Sequence, residues 1–207
     1  MDFLEKVYFQ SFPGPIRKGD LKRYEIIKTA ISVLATEGVD GIAFDQIAAK
    51  LETRRSHISY YFSTPQDLFT AIFQYITATA QAITVEDIKK AQTPRERIRA
   101  VGTGALRWVK AHRDQAQVIL LLQFMFSYDP ALKKMNTGIR QIGRERLQSL
   151  FQLALGRQEG TEALAGELQL LLTGMVVEAM STAQSSQPDF KAILENFLGR
   201  CLPEASR

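Results

Sequence analysis

The sequence predicts an all-α protein of about nine helices, with an N-terminal three-helix helix-turn-helix domain followed by a C-terminal helical domain. Three observations carry this. Apolar residues recur at the helical period from Asp20 onward, and no alternating strand pattern competes with it. Helix start and stop signals punctuate the chain at intervals typical of packed helices. Two short helical segments joined by a polar link lie between Phe44 and Phe62.

Residues 1–19 read as an arm. Their aromatic-rich start ends in the breaker cluster Pro13, Gly14, Pro15. The EKVYFQS stretch is also similar to a viral protease site used to remove expression tags, so a native arm and a tag remnant both stand as origins. Ile26, Ile27, Ala30, Ile31 and Leu34 then form one apolar stripe, and Gly38 sits where a helix end favours a left-handed residue. The next helix spans about Phe44 to Leu51, and its partner ends in Tyr60, Tyr61, Phe62. Thr64, Pro65 and Asp67 supply an N-cap, an N1 proline and an acidic N3 for a longer helix through Ile76.

Five helices follow. Thr93, Pro94 and Glu96 make a capping box, and His112 and Arg113 mark the end of the helix it opens. The run Val118–Tyr128 is apolar all round and is expected near the centre of the fold. Asp129 and Pro130 open a helix with Leu132, Met135, Ile139, Ile142, Leu147, Leu150, Phe151 and Ala154 in phase, bracketed by Gly156 and Gly160. A long helix runs from about Thr161 to Ala183, and after Pro188 a last one carries Phe190 to Leu202. The expected division is 1–19 arm, 20–66 helix-turn-helix domain and 67–207 a second helical domain.

Composition narrows the function classes. With 207 residues, 45% of them hydrophobic, the chain can bury a sizeable core. Its one cysteine, Cys201, precludes an internal disulfide and suits a reducing cytoplasm; a packed thiol is the plainer reading beside a redox sensor. The run Val118–Tyr128 falls well short of the ~20 apolar residues of a membrane span, so a cytoplasmic protein is expected. The two histidines, His57 and His112, are far apart and no paired carboxylates or phosphate-cradling glycine loop appear. We expect no catalytic residues, no metal site and no cofactor, hence not an enzyme. Net charge is +4 overall, distributed as +1 over residues 1–62, −1 over 63–92, +7 over 93–147 and −3 over 148–207. The sum does not announce a nucleic-acid binder, so the case rests on local pattern.

That pattern lies in the short helix pair, where a tight turn lets one helix cross a DNA backbone while the second enters the major groove. Ile47, Ala48 and Leu51 face inward from the first helix, and Ile58 and Phe62 pack the second onto the core. Arg54, Arg55, Ser56, His57, Ser59 and Tyr60 are left to face outward. Arginine reads guanine edges or binds phosphate, hydroxyls bind phosphate, and histidine does either. Two cations at a helix start also oppose the macrodipole, which calls for an external anion. Arg17, Lys18, Lys22 and Arg23 form a basic flank, read either as a solvated surface or as an arm on the DNA.

These residues resemble the TetR family of bacterial regulators. The match runs through Arg23, Ile26, Ile27, Ala30, Leu34 and Gly38, then Ile47, Ala48, Tyr61, Phe62 and Leu68, with Ile58 in a leucine place. It covers about the first 75 residues. The departures are Ala43 for a capping threonine, Glu52 for a turn glycine, Ser59 for a backbone-binding tyrosine and Pro65 for a lysine. The resemblance implies a homodimeric regulator that reads a pseudo-palindromic double-stranded operator and answers to a small-molecule effector. It further implies that the last two helices, with stripes Leu168–Met180 and Phe190–Leu202, pair across a two-fold axis.

Further along, Trp108, Gln123, Phe124, Tyr128, Met175 and Glu178 are candidates to line an effector pocket, against the plainer reading that most are core. Arg95, Arg99, Arg107, Lys110 and Arg113 read as the solvated face of an amphipathic helix. Two other readings stay open: a DNA binder governed by a protein partner that docks on the Phe3–Phe12 arm, and a helical ligand-binding protein or enzyme whose helix-turn-helix is vestigial.

Overall fold

The computed structural model describes residues 3–10, 15–38 and 44–202. Among them lie ten α-helices, one short 3₁₀ turn and no strand. In chain order the helices are α1 (Phe3–Phe9), α2 (Lys18–Glu37), α3 (Phe44–Lys50), α4 (Arg55–Tyr61), α5 (Pro65–Lys90), α6 (Pro94–Ala111), α7 (Arg113–Met125), α8 (Pro130–Leu155), α9 (Thr161–Ser181) and α10 (Phe190–Cys201). The chain forms two compact units, residues 1–82 with 114–132, and residues 83–113 with 133–207.

Helix boundaries follow their local chemistry. Thr64 Oγ1 accepts from the Asp67 amide at 3.1 Å while Asp67 Oδ2 accepts from the Thr64 amide at 2.9 Å. Thr93 and Glu96 repeat the reciprocal pattern, both bonds at 3.1 Å, with the Gln92 amide also donating to Glu96 at 2.7 Å. These amides hold the Glu96 carboxyl below its ordinary range. Asp129 accepts from Ala131 and Leu132 at the start of α8. Gly156 and Gly160, at φ +64° and +75°, turn the chain between α8 and α9 in a backbone region that disfavours a side chain.

In the first unit, Ile26, Ile27, Ala30, Ile31 and Leu34 of α2 are buried with Ile47 of α3, Ile58 of α4, Phe62, and Leu68, Ile72 and Ile76 of α5. Phe126 stacks edge-on against Phe73 at 5.1 Å, which joins the end of α7 to this core. The N-terminal segment is more than an arm. Its apolar residues wind into α1, with Val7 and Phe9 buried. Tyr8 lies 5.0 Å from Tyr24 and 5.9 Å from Tyr75, so the aromatics that read as a docking element are largely spent on the chain's own α2 and α5. Phe12, at the end of that segment, lies outside the described residues.

The second unit centres on Ile98, Leu147, Phe151, Ala165, Leu168, Met175, Leu194, Phe197, Leu198 and Leu202. Helix α6 packs against α9 and α10, with Leu194 filling the space that a side chain at Gly102 would need. The α10 residues Leu194, Phe197 and Leu198, with Leu202 just beyond, and the Leu168 and Met175 positions of α9 pack in the chain's own core, while Leu170 and Val177 of α9 stay exposed. Two corrections concern phase. Ile142 is half exposed rather than part of the buried α8 stripe, and α7 is not covered all round, since Phe124 is 65% exposed. Helices α5 and α9 are each long and apolar enough to cross a membrane by length and composition, although no single apolar run reaches that length in the sequence.

Candidate nucleic-acid interface

Helices α3 and α4 are held at close range by a turn built from backbone bonds. The amides of Leu51, Glu52 and Thr53 donate to the carbonyls of Ile47, Ala49 and Ala48 at 3.1, 3.1 and 2.9 Å. The turn bends at Glu52, whose φ of +50° lies in the left-handed region that glycine favours. The departure from glycine is therefore one of residue type; the backbone keeps the conformation. Ala43, the other departure at this helix pair, lies outside the described residues.

From this turn α4 presents two faces. Ile58 and Phe62 are buried at 0% and 1% exposure, whereas Arg54, Arg55, Ser56, Ser59 and Tyr60 are exposed, Tyr60 at 81%. Arg54 is the N-cap residue, with extended backbone and no side-chain bond to the helix. No carboxylate occurs in the first turn of α4, so its start offers amides and cations together.

Three refinements alter the expected contact set. Arg55 Nη1 donates to Asp45 Oδ2 of α3 at 2.7 Å, so this guanidinium already carries a carboxylate on an exposed surface. His57 is only half exposed; its Nδ1 is bonded to Thr53 Oγ1 at 2.9 Å and its ring lies 5.6 Å from Tyr61. The imidazole is thus oriented, with Nε2 the nitrogen left for an outside group. Ser59 Oγ donates to the Arg55 carbonyl at 3.2 Å and is turned back onto its own helix.

The basic flank divides as well. Arg23 Nη1 donates to the Tyr61 carbonyl at 3.0 Å and its guanidinium lies 4.3 Å over the Phe62 ring. It therefore ties α2 to the end of α4 and is not a free arm residue. Arg23 also lines a polar cleft of about 320 Å³ with Tyr61, Ser63, Asp67, Thr70, Ala71 and Gln74. Burial pushes the nearby Tyr8 phenol up, and the charge of Arg23 opposes it. Lys22 pairs with Glu25 at 2.8 Å, which leaves Arg17 and Lys18 exposed at the start of α2.

The candidate pocket residues fall in both units. Trp108 and Met175 are buried and Glu178 half-buried in the second unit; in the first, Gln123 is half-buried and Phe124 and Tyr128 are exposed with rings 5.3 Å apart. The arginines expected on a solvated α6 face make internal bonds instead. Arg95 caps α10 through the Leu198 and Leu202 carbonyls at 3.3 and 2.8 Å, and Arg99 grips Glu195 with two nitrogens. Arg107 bonds Asp87 and the Ile83 carbonyl. Lys110 and Arg113 remain exposed.

Sequence reasoning missed Asp45, Thr53 and the inward role of Arg23. Only Asp45 left a signal, an acid in the first turn of α3 facing the helix that starts with two arginines.

Residues 26–72 match the family model described as bacterial regulatory proteins, tetR family. No curated protein matches the chain. A putative transcriptional regulator from Saccharomonospora viridis, solved in complex with choline, superposes with a TM-score of 0.79 at 18% identity, over 89% of this chain and 99% of that one. A transcriptional regulator from Rhodococcus sp. Rha1 gives 0.76 at 16%, covering 86% and 95%. One from Pseudomonas aeruginosa PAO1 gives 0.76 at 14%, covering 88% and 90%. At these identities the likeness is one of fold.

Proposed function

We propose that this chain, whose residues 26–72 match the tetR family of bacterial regulatory proteins, is a member of that family and a cytoplasmic repressor that binds a pseudo-palindromic DNA site as a homodimer and is released by a small-molecule effector. The observation that carries the DNA reading is the two-faced α4. Its buried face is fixed by Ile58 and Phe62, and its open face sets Arg54, Arg55, Ser56, Ser59 and Tyr60 beside the oriented His57. In this reading residues 20–66 recognise DNA, with Arg54 and Arg55 supplying base-edge or phosphate contacts and the hydroxyls phosphate contacts. The segment 67–207 binds effector and dimerises.

Dimerisation draws on apolar side chains that the second unit leaves uncovered. Leu170 and Val177 lie seven residues apart on one face of α9, and Ile142 and Leu153 share one face of α8; their exposures range from 41% to 68%. Four helices, two from each copy, would cover these faces and set two recognition helices for successive major grooves. Ligand control is supported by the Saccharomonospora viridis neighbour, which holds choline.

The test is DNA selected from a random pool by the full-length chain, then titrated with the Arg54→Ala and Arg55→Ala variants at fixed salt. Loss of a base-reading arginine costs about 1–3 kcal/mol, a weakening of roughly ten- to a hundredfold. Equal affinity for the double variant and the parent, both folded, overturns the assignment of α4.

A further inference from the structure

In the +7 segment Arg95, Arg99 and Arg107 are held by backbone carbonyls or carboxylates, whereas Arg140 and Arg144 are half-buried with only neutral side-chain acceptors. Arg140 and Arg144 stand one turn apart on α8, seven residues before Leu147 and Phe151 respectively, so they continue the face that those two bury. Both are half-buried. Opposite them, α9 supplies Gln169 and Thr173. Gln169 Nε2 donates to the Arg140 carbonyl at 2.8 Å, Arg144 Nη2 lies 3.5 Å from Gln169 Oε1, and Arg140 Nη1 donates to Thr173 Oγ1 at 3.2 Å. The helices approach closely here, since a side-chain carbon at Gly143 would sit 3.3 Å from Gln169 Nε2.

Every side-chain partner in this cluster is neutral. Among the described residues no carboxylate pairs with either guanidinium, and Arg144 Nε is buried without a hydrogen-bond partner. Burial and the neighbouring Arg144 both act against the charge on Arg140. An arginine nonetheless stays protonated in a protein, so two like charges one turn apart are held off bulk water with fork-shaped donors to spare. A partly buried pair of cations is costly unless an anion joins it.

We propose that Arg140 and Arg144, oriented by Gln169 and Thr173, form the recognition point for the oxyanion head of a small molecule, a carboxylate or a phosphate. This rests on the reading of the second unit as an effector domain and names the charge of the effector. The head group lies against the two guanidinium forks, which match a planar or tetrahedral oxyanion through paired N–H donors. A cation such as the choline held by the Saccharomonospora viridis neighbour is the wrong sign for this point. The alternative occupant, a carboxylate of a second copy, fits less well. The exposed apolar positions Ile142 and Leu153 lie on the opposite side of α8 from the arginines.

The experiment uses the full chain and four probes with one tail: hexanoate, hexyl phosphate, hexanol and hexyltrimethylammonium. Binding is read by calorimetry and by the rise in Tm. Binding of either anion with no response to hexanol or the cation is expected, and the stronger of the two anions identifies the head group. Arg140→Gln and Arg144→Gln each weaken it roughly tenfold or more. Both variants keep or raise the Tm of the free protein, because a repulsive pair is relieved; a lowered Tm marks a structural pair. Equal binding of hexanol and hexanoate, or unchanged anion affinity in the variants, overturns the proposal. A change in dimer dissociation without a change in anion binding assigns the pair to a partner subunit and overturns it too. DNA binding measured without probe separates this from the regulator reading: anion binding with no affinity for any selected duplex sinks the latter alone.

Discussion

Glu52 and Asp45 show how much a single position can carry at the α3–α4 turn. A left-handed residue with a side chain is strained by about 1 kcal/mol relative to glycine. Glu52→Gly is therefore expected to raise stability by up to about 1 kcal/mol in denaturant titration. No gain would mean that the Glu52 side chain makes good the strain. Asp45 acts on function. Its exposed pair with Arg55 is worth only about 0–1 kcal/mol, yet it occupies the guanidinium and puts a negative charge beside an expected phosphate. Asp45→Asn should tighten DNA binding roughly fivefold at low salt, with the gain shrinking as salt rises. Weaker binding in that variant would show that the pair positions Arg55. The sequence exposed the residue types at this site but not their pairing. Asp45 and Arg55 are ten residues apart, and only the angle of the turn brings them to 2.7 Å.

Among the helices, boundaries were the most readable feature, because a capping box is a local chemical pattern. Thr64 with Asp67 and Thr93 with Glu96 formed as their spacing requires. Side-chain partners across helices were not readable. The row of arginines on α6 has the composition of a solvated face, and its bonds depend on where α10 lies. Glu195 is the example with a measurable consequence. Its bond to Arg99, with further help from the charges of Arg99, Arg95 and Lys191, holds its carboxyl below the ordinary 4.5. A depressed acid contributes stability that is present above its unfolded value and lost as pH falls through its folded one. Tm should accordingly fall as pH drops below about 4.5, and Glu195→Gln should lower Tm at neutral pH while flattening that acid slope. Glu96, held low by backbone amides, keeps part of the slope in the variant. A Tm independent of Glu195 at pH 7 would show that solvent screens the pair fully.

For the molecule as a whole, the all-α class and the order of the helices from α2 onward follow from periodicity and capping signals, whereas α1 and the outward faces do not. Periodicity marks apolar stripes without saying which of two neighbouring stripes meets the chain's own core. On α9 the core takes Leu168 and Met175 and leaves Leu170 and Val177 outside. Leu170→Glu with Val177→Glu is expected to convert a dimer to monomer in sedimentation, with the helical spectrum unchanged and affinity for a two-half-site duplex reduced at least tenfold. A dimer that persists would move the interface elsewhere.

The unit that carries α3 and α4 is assembled from two stretches of sequence, and the second begins at residue 114. Phe126, on that second stretch, fills the core against Phe73. During synthesis α3 and α4 therefore leave the ribosome well before the last wall of their own core does. The nascent chain must hold an incomplete core while residues 83–113 are made, and a stop in translation within α6 would yield a fragment with α3 and α4 complete and no finished scaffold to present them.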